Sequence, residues 1–128
     1  MTELEFKALA VQGYTRIPLI AESFADLETP LSLYLKLANE PNSFLLESVV
    51  GGERFGRYSF IGLPARTAIR AFIGEPGQHR IEVLTDGAVV RQERGDPLAF
   101  IEQYFAQFKV ALRPGMPRFC GGLAGYFG

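Results

Sequence analysis

Cysteine and histidine each occur once, as Cys120 and His79, and neither has the companion that most of its chemistry needs. A lone cysteine excludes an internal disulfide, and its apolar neighbours Phe119 and Leu123 mark it as a packed, inert thiol. A lone histidine with no cysteine at ligand spacing argues against a metal site built from this segment. A Cys120–His79 nucleophile pair would have nothing to orient the base, and His79 sits in GQHRIEV, where a strand begins. Charge of one sign is also missing. Thirteen basic residues against fourteen acidic ones leave a net charge of -1, which offers no electrostatic footprint for nucleic acid. No apolar run is long enough to cross a bilayer, and MTELEFKALA is not a basic segment leading into an apolar one, so no membrane partner is expected and the chain reads as cytoplasmic. GGLAGYFG near the end lacks both the GxGxxG spacing and the lysine of GxxxxGK[ST], which removes the nucleotide-loop reading.

What is present suits one domain: 128 residues, 48% of them hydrophobic, suffice for a single core. Phe6 to Gln12 reads as a short helix ended by Gly13, and Tyr14 to Ile20 as a strand that Pro18 confines to an edge. Thr29-Pro30 is an N-cap followed by proline at the first helical position, with Leu31, Tyr34, Leu35 and Ala38 at helical spacing as a core stripe; Pro41 stops that helix. Strand-like segments follow at Arg66 to Ile73, His79 to Leu84 and Ala88 to Arg91, the last two joined by an Asp86-Gly87 turn. Alternation such as Ile81, Glu82, Val83 predicts an antiparallel meander with one wet face. Asp96-Pro97 then opens a second helix carrying Leu98, Ile101, Phe105 and Phe108, broadened by Phe100 and Tyr104, to cover the sheet. Arg118 to Gly128 reads as a glycine-rich apolar strand. Because Leu123, Tyr126 and Phe127 would leave it cut off in mid-strand, the chain is expected to be a fragment of a longer polypeptide. The fold class expected is α+β, antiparallel sheet or sandwich with flanking helices.

The segment SFLLESVVGGERFGRYSFIG, from Ser43 to Gly62, concentrates the chemistry. An apolar run, Phe44 to Leu46, leads into Glu47 and Ser48, then a Gly51-Gly52 break, Arg54 and Arg57, and a second apolar run from Tyr58 to Ile61. Pairing of the two runs as a hairpin brings a carboxylate and a hydroxyl near a guanidinium over a floor of Leu and Phe, a setting for a small zwitterion with an apolar body. The competing reading is structural: Glu47 salt-bridged to Arg57, and Ser48 bonding its own backbone. On that reading the chain is an interaction domain; a free-standing small-molecule-binding module is the other alternative.

LLES, GGERFGRYSFIG and PRFCGGLAGYFG, in that order, together with TPLSLYLKLA and GYTRIPLIAES, resemble the amino-terminal region of anthranilate synthase component I over nearly the whole chain. The sister family, aminodeoxychorismate synthase component I, shares the layout, but the GERFGRYSFIG string is more similar to the anthranilate enzyme. The resemblance implies an enzyme that makes anthranilate and pyruvate from chorismate, using ammonia from a glutamine amidotransferase subunit. It implies a separate carboxy-terminal catalytic domain that holds the acid-base groups and the Mg²⁺ ligands, so residues 1–128 carry no catalytic residue and are inactive alone. It further implies that this region is regulatory and forms half of an L-tryptophan feedback site. By motif, Ser48 is the foremost effector contact, flanked by Leu46 and Glu47, with Arg57, Tyr58 and Ser59 as the facing wall. Glu47 and Ser48 would bond the ammonium and apolar strand residues the indole, while Arg57 serves the carboxylate or locks Glu47.

Overall fold

The computed structural model describes residues 1–47 and 58–128. Its elements are helix α1 (Glu3–Val11), helix α2 (Pro30–Leu37), strands β1 (Phe44–Glu47), β2 (Ser59–Gly62), β3 (Thr67–Phe72), β4 (His79–Thr85) and β5 (Ala88–Gly95), and helix α3 (Pro97–Ala106). The sheets are a two-stranded β1-β2 ribbon and a three-stranded β3-β4-β5 meander, both antiparallel. This is the expected α+β class. The residues group into two compact units, 23–99 and a second made of 1–22 with 100–128.

The unit of residues 23–99 contains both sheets. α2 starts where the sequence predicts, because Thr29 Oγ1 accepts the Ser32 backbone N–H at 3.0 Å while Ser32 Oγ accepts that of Thr29 at 2.8 Å. Lys36 and Ser32 both donate to Glu28, and these bonds, that of Lys36 first, hold its carboxyl below the usual range. The expected core stripe of α2 is only partly covered: Ala38 is 1% exposed and Tyr34 half-buried, whereas Leu31 and Leu35 are more than half exposed. α2 packs against β1 and β2.

The meander places Ile69, Ala71, Ile81 and Val83 on one face and Arg70, Phe72, Arg80 and Glu82 on the other. Ile81 and Val83 are buried on β4 with Glu82 half-buried between them, the alternation read from the sequence, but Leu84 on the opposite face is buried as well. At Asp86-Gly87 both φ angles are positive, 50° and 82°, the geometry of the hairpin turn whose twist matches the strands. β5 runs to Gly95, four residues beyond the expected end, and a bulge between Val83 and Leu84 shifts its register: Val83 faces Arg91 but Leu84 faces Val89.

In the other unit three expectations are corrected. α1 begins at Glu3, three residues before the expected Phe6, because Thr2 and Glu5 form a capping box with bonds of 3.2 and 2.6 Å. The Thr2 backbone N–H, and secondarily its hydroxyl, lower the Glu5 pKa. No strand forms over Tyr14 to Ile20. Arg16 makes a single parallel bridge to Val110, framed by Thr15 N–H to Lys109 O at 2.9 Å and Ala111 N–H to Arg16 O at 2.9 Å. Pro18 has no N–H with which to extend it. Residues 118–128 are not a strand either: Gly121 and Gly122 take φ of 127° and 150°, outside the range of extended L-residues.

α3 is capped by Asp96, whose Oδ1 accepts the Leu98 N–H at 3.1 Å. Its covered side is part of the expected, broadened stripe: Phe100, Ile101, Tyr104 and Phe108 are buried or half-buried. Phe100 is buried and forms an aromatic ladder with Tyr104 at 6.1 Å and then Phe108 at 5.4 Å, while Leu98 and Phe105 are largely exposed. The helix itself ends at Ala106, so Phe108 belongs to the segment after it. Cys120 is a free thiol, half-buried.

Candidate functional site

The hairpin-like pair read from SFLLESVVGGERFGRYSFIG forms. β1 and β2 run antiparallel with Phe44 opposite Gly62, Leu45 opposite Ile61, Leu46 opposite Phe60 and Glu47 opposite Ser59. Two features seat the ribbon. The Phe44 ring lies over Gly62, so near that a Cβ on residue 62 would stand 2.1 Å from a ring carbon. At its base Tyr34 and Ser43 hydroxyls share a 2.9 Å hydrogen bond, and Ser43 donates another of 2.7 Å to Glu40 O.

Strand alternation divides the predicted site residues. Glu47 and Ser59 stand directly opposite one another, so their side chains share one face of the ribbon. Leu46 shares the other face with Phe60, and the Tyr58 ring joins that face by its 6.3 Å contact with the Phe60 ring. The polar pair and the apolar group therefore lie back to back at the far end of the ribbon. Leu46 is 54% and Tyr58 57% exposed, and Glu47 and Ser59 are exposed as well. Among the described residues Glu47 makes no ion pair. Ser48 and Arg57, and with them the Glu47–Arg57 pairing, lie outside the described residues.

A ligand held by charge and by packing at once must wrap the ribbon edge, or use one face and draw its remaining contacts from elsewhere. The Glu47–Ser59 face offers a carboxylate and a hydroxyl, complementary to an ammonium. The Leu46–Tyr58–Phe60 face offers apolar and aromatic surface suited to a planar ring.

A groove of about 290 Å³ lined by Glu5, Ala8, Leu9, Gln12 and Arg113 has no signal in the sequence. It contains none of the predicted residues. Arg113 Nη2 donates to Pro18 O at 3.3 Å, while its buried Nε has no partner among the described residues. Among those residues no group of three or more His, Cys, Asp or Glu side chains is placed to hold a metal ion, and no helix is long and apolar enough to cross a membrane.

No family model and no solved structure matches the chain. Curated proteins do. Across its full length it is 56% identical to anthranilate synthase component 1 of Neisseria meningitidis serogroup B, covering 25% of that protein. It is 54% identical to the Pseudomonas aeruginosa protein of the same name, again covering 25% of it, and 42% identical to that of Acinetobacter calcoaceticus, covering 26%. The chain thus spans about a quarter of the length of the curated relatives it matches.

Proposed function

From the premise that the chain belongs to the anthranilate synthase component 1 family, we propose that residues 1–128 are the amino-terminal regulatory region of a cytoplasmic enzyme converting chorismate to anthranilate and pyruvate. Ammonia comes from a glutamine amidotransferase subunit, and the β1-β2 ribbon is part of an L-tryptophan feedback site. The anthranilate name carried by relatives at 54 to 56% identity supports this branch over the aminodeoxychorismate one. The catalytic portion lies outside these residues. The Mg²⁺ ligands are proposed to lie in that portion too; among the described residues no group of three or more His, Cys, Asp or Glu is placed to hold a metal ion.

One observation carries the regulatory reading: the register that sets Glu47 against Ser59 and Leu46 against Phe60 builds a polar and an apolar face at one end of a ribbon. The ribbon offers an ammonium acceptor and a ring platform with most of their surface uncovered. Tryptophan seated there, with the catalytic portion closing over it, favours an arrangement in which the active site cannot close. Its effect is bounded by its differential affinity for the two arrangements, usually about 1–3 kcal/mol of coupling.

The test is Ser48→Phe in the complete enzyme. Tryptophan inhibition should weaken at least about fivefold, the low end of such couplings, with chorismate turnover near that of the parent. Unaltered inhibition would remove Ser48 from the site. Two further variants resolve the faces: Glu47→Gln weakens inhibition if the ammonium sits on the Glu47–Ser59 face, and Tyr58→Ala does so if the indole lies on the other.

A further inference from the structure

The β3-β4-β5 meander holds an uncompensated cationic surface on its wet face. Across the strands, Phe72 faces Arg80 and Arg80 faces Arg94; in the next row Arg70 faces Glu82 and Glu82 faces Gln92. Three guanidiniums therefore share the face with one carboxylate, a local balance of +2 in a chain whose net charge is -1.

The other arginines bordering this sheet are engaged. Arg66 holds Asp86 through bonds of 2.9 and 2.6 Å, and Arg91, on the opposite face, holds Glu93 through bonds of 3.1 and 2.8 Å. By contrast, among the described residues none of Arg70, Arg80 and Arg94 donates a side-chain hydrogen bond. Arg80 Nε forms an ion pair with Glu82 at 3.6 Å, too long for a hydrogen bond, and this single carboxylate leaves the face with its excess of two positive charges. The Arg80 guanidinium carbon also stands 4.0 Å from the Phe72 ring centroid, a cation–π contact that uses none of its donors. Arg80 directly opposite Arg94 is a like-charge cross-strand pair, an arrangement that costs stability when nothing neutralises it.

We propose that this face docks an acidic segment of a partner protein, with carboxylates received by Arg70, Arg80 and Arg94. Guanidinium forks match carboxylates bidentately. The small extent of the patch and the negative charge of the whole chain favour a short acidic stretch over a long polyanion such as nucleic acid, whose binding grows with the number of phosphates neutralised. Same-face residues of an extended partner recur about every 6.8 Å, on the scale that separates neighbouring rows of this sheet.

The probe is a fluorescein-labelled hexaglutamate peptide titrated with the protein and followed by anisotropy. Saturable binding is expected, weakening severalfold as salt rises from about 20 to about 150 mM through screening of the exposed pairs. The double variant R70Q/R94Q should lose at least fivefold in affinity with an unchanged melting curve. E82Q, which removes the only competing carboxylate of the face, should gain about twofold. R91Q, altering the opposite face, should bind as the parent does. Absence of binding, equal loss in R91Q and R70Q/R94Q, or unchanged affinity in R70Q/R94Q would each overturn the proposal. So would tighter binding of a single-stranded oligonucleotide of equal charge, or displacement of the peptide by low-millimolar inorganic phosphate.

Discussion

The ribbon and the meander are built from similar antiparallel pairings, yet they relate differently to what surrounds them. In the meander, β4 lies between two partners and buries Ile81, Val83 and Leu84. In the ribbon no described residue is buried, and the end that carries Leu46, Glu47, Tyr58 and Ser59 is open on both faces. A two-stranded ribbon alone is marginal in water, and this one leans on α2 at its base. The contrast assigns roles. The meander supplies its own cohesion, whereas the described residues at the ribbon's distal end stay exposed, in keeping with the proposal that the ribbon is one part of a larger site.

Removing bulk from the meander should give the largest loss. Ile81→Ala empties the most buried large side chain among the described residues and should cost about 2–5 kcal/mol in urea denaturation. A loss below about 1 kcal/mol would mean that the meander is not the anchor proposed here. At the ribbon, Gly62→Ala drives a methyl group into the Phe44 ring and should cost about 1–3 kcal/mol. Adding Phe44→Leu should recover part of that cost, and strictly additive effects would show that the ring is not what the methyl meets.

Thr29→Ala unpicks the reciprocal cap of α2, the helix that supports the ribbon, at about 1 kcal/mol. Tryptophan inhibition should weaken alongside stability if the helix also positions the site. Smallest of all is the exposed Arg66–Asp86 pair beside the hairpin turn. The Arg66 hydrogen bond, reinforced by its charge, lowers the Asp86 carboxyl below its ordinary value of 3.8. The pair's contribution is therefore complete above that value and fades as pH falls through the lower folded-state value. Arg66→Gln should return the carboxyl titration, followed by NMR, toward 3.8, with little change in melting at neutral pH.

How much of this was legible in the sequence follows the same division. The meander could be read because its β4 alternates buried and wet residues and its turn carries Asp86-Gly87, both local signals. The ribbon's pairing was legible from two short runs, Phe44 to Leu46 and Tyr58 to Ile61, and its register then put Glu47 opposite Ser59. Alternation adds a division that the string of letters does not display: Tyr58 and Ser59, named together as the facing wall, have their side chains on opposite faces of the ribbon. The start of α1 escaped because its signal is the cap of Thr2 and Glu5, not an apolar stripe; the helix buries no residue. The Tyr14 to Ile20 and Arg118 to Gly128 segments have strand-like composition, but pairing is a tertiary property, and only Arg16 finds a ladder partner.

The bulge at Val83 and Leu84 limits how the length of this chain can vary. It takes up the one extra residue, Val90, that lets a two-residue turn close the hairpin while Arg91 and Glu93 remain on the Ile81 face. Deleting Val90 would only remove the bulge and leave the later pairs in place, whereas deleting Gln92 would turn the side chains after it over, exchanging Arg94 with Glu93 across the sheet. Insertions and deletions during divergence should therefore collect in connections such as 107–118 or at the bulge itself, and leave the span from 91 to 95 constant in length.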